Sequence, residues 1–349
     1  MIIHGIKVDE EISFEEIDAK VKFINENKRY CEETIRELNS LIDIDYTKAS
    51  EFIEGNTLEE ISNIDIGEDT KIMRGYRSVI MDLPENREER LEFLKNKKYD
   101  PDNASLIIIK KGDASAFEYK TFVCKIPKHL SAVEFALSRA RFDRGVFQKT
   151  GKMPIIDRKF IENINAKFFE KTEHKDEPGY GSYRRIYYKN GQWILPDVYI
   201  KDTEVKVSRC ENVPDDMEEL LNFYNNSDLH PVLKAIIFKV KMIKIHPFCD
   251  GNGRTSRILL NNMLVRYGYP TLTIPSKFKN DYFEALDKAH LNYNYTEIIN
   301  LIMKCLDERC DKYIQVINEQ KGLREKEEQQ ELEWQTKKEE FSHYILKLV

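Results

Sequence analysis

The sequence predicts a mainly α-helical protein carrying one short β-hairpin. Three observations predict it. Apolar residues recur at helical spacing over much of the chain, a single Asn190-Gly191 pair separates two aromatic segments, and two apolar helical stripes flank one glycine-rich polar loop. The 349 residues suit about two domain units. A hydrophobic share of 41% supplies a real core and excludes a wholly disordered chain. The 55 Lys and Arg against 61 Asp and Glu leave a formal charge of −6. Such a chain has no global electrostatic drive onto nucleic acid or an anionic membrane, so neither is expected as a partner.

The elements follow in order. Ser13 to Ile42 reads as an amphipathic helix, with Ile17, Val21, Ile24, Ile35, Leu38 and Ile42 on its apolar side. A short helix is expected from Tyr46 to Glu54, stopped by Gly55-Asn56. Residues 57–80 read as helical again. The stretch 84–127 differs: the apolar run Leu106 to Ile109 and the aromatic, β-branched run Phe117 to Cys124 suggest two strands of a small α+β insertion. Helical periodicity returns at Ser131. Tyr183 to Leu195 carries the Asn-Gly hairpin signal. Residues 230–302 are mostly helical, and Glu319 to Glu340 reads as a solvated, charged helix. Beyond it, Trp334, Phe341, Ile345 and Leu348 fall at steps of seven, four and three. The expected division is N-terminal helices over 1–80, an insertion over 81–130, a core over 131–305 with its hairpin at 181–200, and a charged tail over 306–349.

The six cysteines include no C-x-x-C pair and no zinc-ligand spacing. They read as reduced thiols. The N-terminus lacks the pattern of a signal peptide and no apolar run is long enough to span a bilayer, so a cytoplasmic location is expected.

The chemistry concentrates in His246-Pro247-Phe248-Cys249-Asp250-Gly251-Asn252-Gly253-Arg254-Thr255-Ser256-Arg257. Ile236, Val240 and Ile243 mark a buried helix leading in, which Pro247 ends by disfavouring helical backbone at His246. Ile258, Leu259, Leu260, Met263 and Leu264 mark a second buried helix leading out. Gly251 and Gly253 let backbone approach a ligand, and the first N–H groups of the second helix face an anion. Arg254 and Arg257, three residues apart, project from one face of its first turn. Asp250 is the hard carboxylate that Mg²⁺ beside phosphates would use. His246 at the mouth can take a proton near neutral pH.

Nine fixed positions in these twelve resemble the signature of the Fic family (filamentation induced by cyclic AMP), H-P-F-x-[D/E]-G-N-G-R-x-x-R. The resemblance implies a Fic-type helical core with a β-hairpin flap. It implies transfer of AMP from ATP to a Ser, Thr or Tyr hydroxyl of a target protein, with release of pyrophosphate. His246 would be the general base. Asp250 would hold Mg²⁺, or Mn²⁺ in its place. Gly251, Asn252 and Gly253 would bind the α-phosphate, Arg254 the β-phosphate and Arg257 the γ-phosphate, with Thr255 and Ser256 in the same turn. Tyr282, in Tyr282-Phe283-Glu284-Ala285-Leu286, would lie near the adenine.

Two further segments join this resemblance. Ser50-Glu51-Phe52-Ile53-Glu54-Gly55 is similar to the family's inhibitory motif, which implies that Glu54 pairs with Arg257 and misaligns ATP. Gly181-Ser182-Tyr183-Arg184 is similar to the lead-in of the family's flap, which implies that Tyr183, Arg184 and Ile186 help align a target chain by strand addition. Lys239 and Met242 depart from the histidine and phenylalanine that relatives often carry. Other readings stay open at this level: self-modification, use of another nucleotide, removal of AMP from a modified protein, and a nucleotide-sensing scaffold without turnover.

Overall fold

The computed structural model describes residues 2–3, 5–9, 12–28, 35, 39, 46–47, 49–50, 53, 116–170, 174, 177–196 and 198–348. Eight helices and two short hairpins are described. A small hairpin pairs β1 (Ile2–Ile3) with β2 (Ile6–Lys7). Then come α1 (Glu15–Asn27), α2 (Ala116–Thr150) and α3 (Arg158–Phe169). The second hairpin pairs β3 (Tyr187–Lys189) with β4 (Gln192–Ile194). After it run α4 (Val213–Asn226), α5 (Pro231–Ile245), α6 (Asn252–Arg266), α7 (Lys279–Asn292) and α8 (Thr296–Leu348).

The core is organised around α5 and α6, which pack on each other through the six-residue connection 246–251. Both are buried on nearly every side, from Val232 to Ile243 and from Arg254 to Leu264. A helix buried all round belongs at the centre of its domain. α2 lies on α6, α3 on α2, α4 and α7 on α5. Several polar side chains of α6 that enter this core are paired. Asn261 clasps the backbone of Leu272 through both ends of its amide, at 2.9 and 3.0 Å. Asn262 donates to the Ala136 carbonyl at 2.6 Å. Arg266 meets Asp143 at 3.2 Å. Each pairing offsets part of the cost of burying a polar group, although Asn262 Oδ1 keeps no hydrogen-bond partner.

α1 docks on α8. Ile17, Val21 and Ile24 are buried, and Lys20 bridges Asp307 at 2.6 Å and Asp311 at 2.8 Å. At α3 the Asp157 carboxylate accepts the Phe160 N–H at 2.8 Å, an N-cap that sets where the helix starts.

Asn190-Gly191 forms the β3–β4 turn, with φ of 51° and 82°. Two positive φ angles in a two-residue turn match the right-handed twist of the strands. The mainly helical expectation, the Tyr183–Leu195 hairpin and the helices over 230–302 are all met. Tyr46, Thr47, Ala49, Ser50 and Ile53 are helical, as expected.

One element departs. Phe117–Cys124 belongs to α2 and is no strand. Tyr119, Phe122, Val123 and Ile126 stand at i, i+3, i+4 and i+7, a helical spacing that the aromatic and β-branched composition masked. The other expected strand, Leu106–Ile109, and the helix expected over 57–80 lie outside the described residues.

Candidate active site

The site forms where α5 stops and α6 starts. His246 ends α5 in the left-handed region, with φ 55° and ψ 60°. That conformation is costly for a residue with a Cβ and persists only where surroundings impose it. Arg184 imposes it. Its Nε donates to the His246 carbonyl at 2.7 Å, and its guanidinium also reaches the carbonyls of Ile245, at 3.2 Å, and Ser208. The Arg184 N–H donates to the Pro247 carbonyl at 2.8 Å. A buried guanidinium thus caps the negative end of α5 and pins the turn that carries the histidine.

The imidazole is oriented by its own helix. His246 Nδ1 lies 3.1 Å from the Ile243 carbonyl. A carbonyl only accepts, so Nδ1 carries the hydrogen, and in the neutral ring the lone pair falls on Nε2.

The loop closes on itself below the histidine. Asn252 Oδ1 accepts the Phe248 N–H at 2.9 Å, and its Nδ2 donates to the Phe248 carbonyl at 2.8 Å. Phe248 is fully buried and packs edge-on against Tyr183, with ring centroids 5.6 Å apart. Gly251 is the N-cap of α6 at φ 79°, and a Cβ there would meet the Asn165 amide at 2.8 Å. Asn165, from α3, is the keystone. Its Nδ2 donates to the Asp250 carbonyl at 3.0 Å and to Thr255 Oγ1 at 3.2 Å, and its Oδ1 accepts the Gly181 N–H at 2.8 Å. One side chain joins α3, the flap lead-in, the loop and α6.

What faces outward is a cradle of positive ends. The Asn252 and Gly253 N–H groups lie in the first turn of α6, where helical geometry supplies no partner. Asp250 is exposed, and its carboxylate accepts the Gly251 N–H at 2.5 Å and Arg254 at 3.1 Å. Arg254 also stacks over Phe168, with its guanidinium carbon 4.7 Å from the ring centre. Arg257 is buried and turned toward the N-terminal segment. Its Nε donates to Ser50 Oγ and its Nη2 to the Ser50 carbonyl, both at 2.9 Å.

These contacts suit an anion better than a metal cage. Among the described residues no three His, Cys, Asp or Glu side chains gather as a cation site. A single carboxylate beside phosphate donors does fit Mg²⁺ carried by a nucleotide, since that ion takes one or two protein carboxylates and fills its shell with phosphate and water.

Residues 155–264 match the family model for the Fic/DOC family. They form a Fic domain. A Drosophila yakuba protein named protein adenylyltransferase Fic is 40% identical over 97 residues, which cover 28% of this chain and 19% of that one. A Nematostella vectensis protein of the same name is 34% identical over 122 residues, covering 33% and 28%. The match therefore spans less than a third of either relative's length. Two solved structures share the fold over most of this chain. A Fic domain containing signalling protein from Bacteroides thetaiotaomicron has a TM-score of 0.51 at 20% identity, covering 87% of this chain and 95% of that one. Fic-1 from C. elegans has 0.51 at 18%, covering 87% and 72%.

The expected residues of the Fic loop come together, with three changes of role. The Asn252 amide is consumed in holding Phe248, so only its N–H is left for a ligand. Thr255 and Ser256 are fully buried: Thr255 Oγ1 accepts from Asn165, and Ser256 Oγ donates to the Gly253 carbonyl at 2.9 Å. Tyr282 is 1% exposed and offers no open ring face, whereas its neighbour Phe283 is 42% exposed. The flap residues divide likewise. Tyr183 and Arg184 point into the core, correcting their expected place against a target chain, while Ile186 reaches the surface. The cause is local. The Tyr183 N–H donates to Glu162 at 3.1 Å, and Gly181 lies so close to α3 that a Cβ would meet Ala166 at 2.7 Å. Glu54 lies outside the described residues, one helical turn beyond Ser50 in sequence. Asn165 carries no local sequence signal, because its three partners are 16, 85 and 90 residues away.

Proposed function

We propose that this chain is a self-inhibited protein adenylyltransferase, which moves AMP from ATP onto a Ser, Thr or Tyr hydroxyl of a target protein. The supporting observation is His246, with Nδ1 held by the Ile243 carbonyl, at the mouth of an N–H cradle with two arginines. The names of the curated relatives point the same way.

In this reading His246 Nε2 takes the hydroxyl proton as the oxygen attacks the α-phosphorus. The bond from that phosphorus to the bridging oxygen breaks, and pyrophosphate leaves. The Asn252 and Gly253 backbone donors meet the charge that grows on the α-phosphate oxygens. Arg254 and Arg257 hold the outer phosphates, so Arg254 exchanges its Asp250 partner for phosphate. Asp250 would then hold Mg²⁺, which would supply positive charge against the phosphates. Phe283 is the ring open to the base. The flap's exposed edge and Ile186 would receive the target chain, and the same surface admits self-modification.

Inhibition is read from Arg257. A guanidinium committed to Ser50 at two points is turned away from a γ-phosphate. Glu54 would strengthen that hold by charge. No helix among the described residues is long and apolar enough to cross a membrane. A cytoplasmic location remains part of this proposal.

The test uses ATP labelled at either the α- or the γ-phosphorus, with the Glu54→Gly protein and Mg²⁺. Label from the α-position should join protein and label from the γ-position should not. Protein labelled from the γ-position, or from neither, would contradict the reading.

A further inference from the structure

A cavity of about 540 Å³ lies off the Fic loop, and none of residues 246–257 lines it. The N-terminal hairpin, the 206–208 segment, α4, α5 and the connection from α7 to α8 enclose it. The hairpin is fastened at its rim. The Lys7 N–H donates to the Tyr293 carbonyl at 2.7 Å, and the Tyr295 N–H donates to the Lys7 carbonyl at 2.9 Å. Tyr293 sits there in the left-handed region, at φ 53°, a conformation that a side chain adopts only where its surroundings impose it.

The two helical walls carry opposite charge. Asp216, Glu219 and Phe223 stand at i, i+3 and i+7 on α4, and Lys241 and Lys244 at i and i+3 on α5. Lys206 adds a third cation. The Lys241 amine lies 5.4 Å from the centre of the Phe223 ring, and the Lys244 amine 4.6 Å from that of Tyr293. Lys244 also donates to the His290 carbonyl at 3.1 Å. Among the described residues no ion pair joins these lysines to Asp216 or Glu219. The cavity's volume is that of a small-molecule site. A plain anion would meet the two carboxylates, and a plain cation would meet the three lysines. A molecule bearing both charges suits both walls, its carboxylate toward Lys241 and Lys244 and its ammonium toward Asp216 and Glu219. The Phe223 and Tyr293 rings offer a flat apolar group its contact.

We propose that this cavity is a binding site for a zwitterionic amino acid or dipeptide with an aromatic side chain. The site is separate from the nucleotide cradle, and the inference does not depend on how the Fic loop is read. Its place gives a ligand contact with the turn at His246. Ile245 and Ser208 line the cavity, and Arg184 holds the carbonyls of both together with that of His246.

Isothermal titration of the full chain without nucleotide, using L-phenylalanine and L-phenylalanylglycine as probes, tests the proposal and separates the two sources. At least one probe should bind saturably, one per chain, with a Kd below about 1 mM. The C-terminal amide of the tighter probe lacks the carboxylate, and its N-acetyl form lacks the ammonium. Each should bind about tenfold more weakly. Two variants assign the walls. Lys241→Met should erase the preference over the amide, and Glu219→Gln the preference over the N-acetyl form, both with wild-type melting. Absence of saturable binding by either probe would overturn the proposal. So would equal binding of blocked and unblocked forms, or variants that leave both preferences intact.

Discussion

His246 and Asn165 show how single side chains set the chemistry. In the proposed reaction His246 serves as the base, with a backbone carbonyl to orient its ring and Arg184 to fix its backbone. Replacing His246 by alanine should leave folding and ATP binding intact and reduce label transfer by at least about a hundredfold, the usual share of a general base. Asn165→Leu should act differently. It strands the Asp250 carbonyl and the Gly181 N–H, so stability should fall by about 1–3 kcal/mol per stranded group, read from denaturant melts, with transfer falling alongside. His290 sets an acid limit. Burial first, then Lys239 and Lys244, push its imidazole down from 6.5 to about 4, while Nε2 lies 2.9 Å from the Val240 carbonyl. Between those two values the unfolded chain binds the proton and the native one does not, so stability falls as pH drops from about 6.5 to 4. The cost is at most about 3 kcal/mol. Melting curves of His290→Asn across this window should be flatter than those of wild type.

Elements differ in how openly the sequence declares them. α5 and α6 were legible because their apolar residues run nearly unbroken on either side of one polar loop. The β3–β4 hairpin was legible because Asn190-Gly191 meets a turn that needs two positive φ angles. The Phe117–Cys124 stretch was misread because composition was weighed above period. Asn165 and the inward turn of Arg184 were not legible, since both depend on segments that only the fold brings together. The flap yields its own prediction. A Cβ at Gly191 meets open space, so Gly191→Val costs only backbone strain and should fray the hairpin locally. Transfer to a target should drop while ATP binding and the melting temperature stay near wild type. Gly181→Ala, by contrast, drives a Cβ against α3 and should lower the melting temperature itself.

At the scale of the whole molecule, the N-terminal segment reaches an arginine of the 246–257 loop. Ser50 reaches Arg257 across 207 residues of sequence, while Lys20 ties α1 to α8. In the proposed reading, docking of the segment around Ser50 is therefore coupled to phosphate binding at Arg257. Glu54→Gly should raise transfer strongly. Ser50→Ala, which removes the hydroxyl bond and leaves the backbone one, should raise it by a smaller factor. The claim beneath all of this is that the 246–257 loop receives the triphosphate with His246 above its α-phosphorus. A crystal of the Glu54→Gly protein soaked with Mg²⁺-ATP tests it most directly. Phosphate density on the first-turn N–H groups of α6, with His246 Nε2 facing the α-phosphorus, is the predicted result. Nucleotide density seated elsewhere on the molecule would contradict it.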